Sequence, residues 1–414
     1  MNKKRNTAFI VKGLRIVVGL LFVFSGFVKG VDPLGTAYKL SDYFEAFHID
    51  FLSPLALIFS VLLNLAEFTI GVALLVNFFP VIAAWLAIIF MAVFTPLTFI
   101  LAIYNPVTDC GCFGDAVIMT NWQTFYKNIV ISTFVLVVFV NRKKNQSCFS
   151  CSQQWTMVLL TITAFLYLSW YGYNHLPIID FRPYKTGTYI PEGMLIPEGA
   201  PHDSFAYTLV YEKEGERQEF SLNDAPYEDT SWMWIETKTK LVKAGYHPPI
   251  HDFSFTNMVG DNITDSIIHT PSYVFLAISY RLDKADTEGL EKLKAVYDYA
   301  ANNNYLFYFA TSSTNLVIDE FTAAQKIIAP VCQADDIMLK TVIRSNPGLV
   351  LIHNGTIVAK WSSADIPDFS RYPNLNALVI AENHMKKETT VTWLFFSLLT
   401  IGILAVTLNP LFRK

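Results

Sequence analysis

Apolar positions dominate the first 171 residues of this chain in runs rather than stripes, and the runs have bilayer length. Leu14 to Val31, Pro54 to Val76, Val81 to Tyr104, Phe125 to Val140 and Trp155 to Tyr171 each read as a spanning helix, as does Thr392 to Leu408 near the far end. A helix needs roughly 20 mostly apolar residues to cross a hydrocarbon core of about 30 Å. Between Asn174 and Glu388 the pattern changes. Charges and turn residues appear and apolar runs shorten to strand length. Ala206 to Tyr211 and Glu219 to Leu222 read as strands among Pro-rich joints. From His251 strands and helices alternate: strand Tyr273 to Ser279, helix Thr287 to Asn303, strand Leu306 to Ala310, helices Thr322 to Ile328 and Asp336 to Arg344. A hairpin of Leu349 to His353 and Thr356 to Trp361 closes the series around Asn354-Gly355, a dipeptide suited to a tight turn. This alternation predicts an α/β layered domain tethered to the bundle at both ends.

Composition agrees with the pattern. The chain has 414 residues, 52% hydrophobic and only 16% charged, and a mean hydropathy of +0.35. The lipid bilayer is therefore the first expected partner. A net charge of -4 leaves no basic surface for nucleic acid. Lys3, Lys4, Arg5, Lys12 and Arg15 precede or open the first span, Arg142, Lys143 and Lys144 follow the fourth, and Arg413 and Lys414 follow the sixth. The positive-inside rule then places the N-terminus in the cytoplasm and the 174–388 insert outside; Lys386 and Lys387 run against the count. The basic start resembles a signal peptide, but no small-x-small site follows, so the first span reads as a retained anchor.

The five cysteines are 110, 112, 148, 151 and 332. Cys110 and Cys112 stand in Asp109-Cys-Gly-Cys-Phe-Gly-Asp115, between the third and fourth spans, on the outer side of this topology. A vicinal pair there suggests electron exchange, since strained and exposed disulfides are the labile ones. A pinning disulfide or half a metal site are the bland alternatives, and Asp109 and Asp115 would oppose a thiolate by like charge. Cys148 and Cys151 fall on the inner side beside a basic run; they read as reduced thiols or a weak zinc half-site, with a transmembrane electron relay as the bolder alternative. Cys332 reads as a small buried apolar residue. Glu67 lies deep in the second span, where a carboxylate is costly and marks either a functional site or a contact between helices. Lys29 is its candidate counter-ion. A desolvated Glu67 would be placed to relay a proton to a thiol or a quinone, although no quinone fingerprint is present. Trp232, Trp234 and the run Tyr305 to Phe309 read as core or interface.

Two resemblances carry further expectations. Phe24-Ser-Gly-Phe-Val-Lys-Gly30, Ala66-Glu-Phe-Thr-Ile-Gly71 and Cys110-Gly-Cys-Phe-Gly114 resemble the DoxX/MauE group of four-helix membrane proteins, over about the first third of the chain. MauE-like proteins are associated with methylamine utilisation, and the resemblance implies disulfide maturation with a thioredoxin-like or other periplasmic protein partner. His251 to Phe369 looks like a thioredoxin-like domain, with Ile343 to Lys360 similar to that fold's cis-proline strand and following hairpin, and Pro347 as the proline. At the position of the family's dithiol stands Tyr280-Arg-Leu-Asp283, without a thiol.

The expected architecture is a DoxX/MauE-like four-helix membrane domain (1–145), a fifth span preceded by the Cys-x-x-Cys loop (146–173), a mostly-β or irregular segment (174–250), a thioredoxin-like α/β domain lacking Cys-x-x-Cys (251–388) and a terminal anchor (389–414). The expected role is a bacterial inner-membrane component of periplasmic thiol–disulfide exchange. Cys110 and Cys112 form the redox pair, Glu67 relays protons, and Lys29 and Pro347 take part in binding. The alternative is a non-catalytic assembly or binding factor held in the membrane by the bundle.

Overall fold

The computed structural model of the chain describes residues 2–107, 110–243, 245–324 and 329–372, and beyond these 375–376, 395–397, 399–400 and 402. Among the described residues five helices are long and apolar enough to cross a membrane: Ala8–Val31, Asp50–Val76, Pro80–Tyr104, Asn121–Val140 and Cys151–Asn174. The expected spans begin one to six residues later than these helices, because polar capping residues and prolines start helices ahead of their apolar runs. The sixth expected span lies largely outside the described residues. Phe395 within it packs on Phe27 and Phe68, with ring centroids 6.1 and 6.2 Å apart.

The bundle comprises α1 (Asn2–Val31), α2 (Pro33–Ala46), α3 (Ala56–Val76), α4 (Pro80–Tyr104), α5 (Asn121–Val140) and α6 (Cys151–Asn174). Thr120 and Ser150 open α5 and α6 with capping boxes, each exchanging hydrogen bonds with a glutamine at the third helical position. Helix α2 is absent from the hydrophobic pattern because its apolar positions are too few for a span. Asp32 caps it, accepting from the Gly35 N–H at 2.9 Å, and Pro33 supplies its preset first turn. Helices α1 and α3 cross at contact distance: a Cβ on Gly71 would lie 2.6 Å from the Val23 nitrogen. Small residues bring membrane helices together in this way. The expected outcome of Gly71→Ala is a lower thermal midpoint in detergent, from a loss of about 1–3 kcal/mol by overpacking.

The chain leaves α6 through a short helix, α7 (Ile190–Met194), and enters two sheets. The first is an antiparallel three-stranded sheet of β1 (Ser204–Lys213), β2 (Glu216–Ser221) and β3 (Met233–Lys243), in the order β2-β1-β3. Trp234 on β3 is exposed, whereas Trp232 packs edge-on against Phe220. The second sheet has six strands: β4 (Thr256–Asn257), β5 (Tyr273–Ile278), β6 (Leu306–Thr311), β7 (Val331–Gln333), β8 (Gly348–His353) and β9 (Thr356–Ser362), in the order β4-β7-β6-β5-β8-β9. Strands β5, β6 and β7 run parallel while β4, β8 and β9 are antiparallel to their neighbours. Val274 to Ile278 are wholly buried, as expected for a central strand covered on both faces. The helices are α8 (Thr264–Ile268), α9 (Thr287–Asn302), α10 (Asn315–Ala323) and α11 (Asp336–Val342).

Two details depart from the expected pattern, the placement of one helix and the reach of the α/β core, while Cys332 and the Asn354-Gly355 turn follow it. The helix expected from Thr322 to Ile328 is instead α10, seven residues earlier at its start. Its buried Ile318 and partly buried Phe321 give it an apolar contact at helical spacing; residues 325–328 lie outside the described residues. Cys332 is buried on β7, and burial pushes its thiol up to about 12. The α/β core also recruits Tyr184, Ile190 and Ile250 from the chain ahead of His251. The Asn354-Gly355 turn forms as its chemistry requires, both residues adopting positive φ.

Candidate functional site

The α4–α5 connection carries the cysteine pair. Gly111 takes φ +64°, a conformation glycine adopts without the usual Cβ penalty, and turns the loop so that the Cys110 and Cys112 Sγ atoms lie 3.0 Å apart. Both cysteines are free. Two hydroxyls fix the backbone here: Tyr43 donates to the Cys110 carbonyl at 2.7 Å and Ser25 to the Cys112 carbonyl at 2.6 Å. A neighbouring helix therefore holds each cysteine, α2 for one and α1 for the other.

The two sulfurs share one proton. The hydrogen bond from Cys110, aided by the Lys127 and Lys29 cations and opposed by burial, lowers the Cys112 thiol to about 6. The same bond, with burial and the charge on Cys112, raises Cys110. Cys112 is thus the more acidic sulfur of the pair, and Cys110 the one that holds its proton longer. Alkylation of the reduced chain at Cys112 is expected to reach half its maximal rate near pH 6 and to level off above pH 7. A profile that kept climbing toward pH 9 would contradict this assignment; iodoacetamide labelling with peptide mass spectrometry reads it directly.

Beneath the pair, α1 and α3 bring Lys29 and Glu67 together, Nζ donating to Oε2 at 2.6 Å with both side chains buried. Each charge offsets the cost of the other in a medium where neither is tolerated alone. Lys127 lies over the Phe113 ring at 4.4 Å, and Asn128 on the next position of α5 donates to Thr98 at 3.2 Å. Cys110, Cys112, Lys29, Glu67 and Lys127 all line one cavity of about 220 Å³, whose other walls combine apolar side chains of α1, α3, α4 and α5 with polar groups of α2 and the loops such as Lys39, Tyr43 and Arg182.

The α/β domain closes over this end. Arg344, following α11, donates to Asp32 at 2.8 Å and to Asp115 at 3.0 Å. Asp115 therefore sits on a cation instead of opposing the thiolate as a free charge; burial holds its carboxyl above the usual range and Arg344 opposes that rise. Asp109, the other carboxylate expected to oppose it, lies outside the described residues. Tyr38 of α2 donates to Tyr280 at 3.0 Å, and Lys340 lies over both rings. Tyr280, the first residue of the Tyr280 to Asp283 segment, accordingly faces the bundle, while Arg281 and Asp283 pair with each other at the surface. Pro347 follows a cis Asn346–Pro347 bond and packs beside Gly289 of α9; it does not line the cavity.

Cys148 and Cys151 are exposed at the opposite end of α5. The 20 residues of that helix separate the two pairs by about 30 Å at 1.5 Å per residue. Direct exchange between the pairs is excluded at that distance. Among the described residues no group of three or more His, Cys, Asp or Glu is placed to hold a metal ion.

Sequence reasoning missed Lys127, Tyr43, Ser25 and Arg344. Lys127 had a readable signal, a lone cation inside an apolar run. The other three are ordinary residues until the fold brings them to the loop.

Together these features define a multi-pass membrane protein whose helical bundle carries a vicinal dithiol at one end, under an α/β domain. Residues 7–141 match the family model described as Methylamine utilisation protein MauE, so the bundle up to the end of α5 is MauE-like. Residues 205–244, the three-stranded sheet, match a domain of unknown function (DUF8463). No curated protein and no solved structure matches the chain.

Proposed function

We propose that the chain is an inner-membrane component of extracytoplasmic thiol–disulfide exchange, with Cys110 and Cys112 as the redox pair. The observation that carries this reading is the 3.0 Å sulfur–sulfur approach in a loop held by Tyr43 and Ser25 above a buried cation. In the oxidised state a partner thiolate attacks Cys110, the Cys110–Cys112 bond breaks, and Cys112 leaves as the more acidic thiol. The partner's second thiol then attacks its own mixed disulfide and releases Cys110. The partner loses two electrons and two protons; the pair gains both electrons and keeps one proton between its sulfurs, and the other proton passes to solvent. Glu67 and Lys29 are the groups placed to pass protons beneath the loop.

Basic Lys12, Arg142, Lys143 and Lys144 gather at the bundle end away from the loop, which supports a periplasmic position for the dithiol and the α/β domain. The mixed sheet, with antiparallel β8 and β9 beside parallel β5 and β6, supports a thioredoxin-like origin for that domain. Its role in this reading is to dock the partner protein at the dithiol. The MauE description of the matched family makes methylamine utilisation one setting in which such a partner would be sought. One observation favours a second reading, a non-catalytic assembly factor: Tyr280 to Asp283 carry no thiol, and Tyr280 is engaged with α2.

Redox titration decides between them. The full chain in lipid nanodiscs is equilibrated with glutathione buffers, acid-quenched, alkylated and weighed. The exchange reading expects Cys110 and Cys112 to titrate together as one two-electron step, reversible on re-reduction. A pair that stays reduced, or titrates as two separate thiols, leaves the assembly-factor reading.

A further inference from the structure

We propose that the cavity under the cysteine loop binds a lipid-soluble quinone, which accepts the two electrons of the Cys110–Cys112 dithiol with one ring carbonyl held by Lys29. This deepens the exchange reading and rests on it. A pair that oxidises a partner must itself be reoxidised, and the cavity's chemistry indicates by what. Its volume, about 220 Å³, exceeds the ~150 Å³ that accommodates benzene in an engineered apolar cavity. A single substituted ring fits that space.

The lining is amphipathic in the way such a ring requires. Phe22, Phe90, Met91 and Phe94 supply flat and adaptable apolar surface, while Lys29 and Glu67 put an ion pair on the same lining. Lys29 has three N–H donors and gives one to Glu67. A carbonyl oxygen that gains negative charge on reduction is stabilised by a preorganised cation in a water-poor site. The sulfurs border the same space, so no intermediate carrier is needed.

Access points to the lipid. Leu63 of α3 and Phe94 and Leu97 of α4 line the cavity and are each partly exposed, so its apolar wall reaches the surface of the spans. Toward the α/β domain the loop is clamped by Arg344 on Asp115, and Pro177 to Arg182 lie across the cavity. A hydrophobic oxidant therefore has the more open route. The step balances: the Cys110 S–H bond breaks, the Cys112 thiolate supplies its electron pair, one S–S bond forms, and the quinone's two oxygens take two electrons, one proton from Cys110 and one from solvent to give the quinol.

The test uses the reduced full chain in nanodiscs, without oxygen, and decylubiquinone, whose fully substituted ring cannot add thiols. One quinol formed per two thiols lost, saturable in quinone, is the expected result. Lys29→Gln is expected to lower the rate about a hundredfold, with recovery in Lys29→Arg. Leu63→Trp, which fills the cavity, is expected to raise the half-saturating quinone concentration about tenfold. If diamide forms the disulfide but the quinone does not, the quinone proposal is overturned while the exchange reading stands. If neither oxidant forms it, both fall. Wild-type rate and saturation in both Lys29→Gln and Leu63→Trp would place the reaction outside the cavity and also overturn the proposal.

Discussion

Cys112→Ser is expected to abolish two-electron thiol cycling and to slow the first reaction with glutathione disulfide at pH 7 by about tenfold or more. Both effects follow from which sulfur holds the charge. Cys112 is the thiolate because Cys110 donates to it and Lys127 and Lys29 face it. Without Cys112 the remaining thiol is Cys110, whose burial favours the protonated form while Tyr43 and the Lys127 cation oppose it. The lower thiolate fraction slows attack, partly offset by the higher intrinsic nucleophilicity of a more basic thiol. Cys110→Ser behaves differently. Cys112 keeps its two cations, reacts, and then has no neighbour to resolve the product, so its mixed disulfide accumulates. Intact-mass spectra after timed acid quenching separate the two variants. Reversible disulfide formation in either serine variant would assign the chemistry to other cysteines.

The second large effect is expected from Arg344→Met. The guanidinium is 6% exposed and bridges two carboxylates from different parts of the bundle, Asp32 at the start of α2 and Asp115 just past the cysteine loop. It also donates to the Lys340 carbonyl at 2.7 Å and lies over the Tyr38 ring. Methionine preserves much of the volume and removes every one of these contacts. Breaking a buried ion pair from one side typically costs about 3–5 kcal/mol, because the orphaned charge stays behind. The loss falls between the α/β domain and the bundle. The expected result is faster labelling of Cys110 and Cys112 by a bulky maleimide, with increased hydrogen exchange across residues 336–342. Arg344→Lys recovers only part of the protection, since a single ammonium does not reproduce the planar two-carboxylate fork. Unchanged labelling in Arg344→Met would show that the α/β domain does not shield the loop.

Much of the architecture was legible from the chain alone. Long apolar runs have few alternatives in water or lipid, so five spans could be placed to within a few residues. Val274 to Ile278, apolar at every position, could only be a central strand, and Asn354-Gly355 only a tight turn. Cys110 and Cys112 stood out because their spacing is local, and Glu67 because its burial follows from its position in a span. Helix α2 was not legible, since a 14-residue amphipathic helix between spans has neither the length of a span nor the alternation of a strand. Helix α10 was misplaced because the stretch around it is apolar without a decisive period, and the contacts of Ile318 and Phe321 selected the register.

The sequence by itself determined that this is a membrane bundle with an α/β insert and a vicinal cysteine pair between two spans, because hydrophobic length, strand burial and turn chemistry are all local properties. Only the tertiary structure decided what surrounds that pair. It set Lys29 against Glu67 across 38 positions of sequence and Arg344 against Asp115 across 229. It put Lys127 beside the thiolate and gathered these groups around one apolar cavity. Charge on a sulfur depends on the cations and donors a few ångströms away, and those neighbours are fixed by how helices and domains pack.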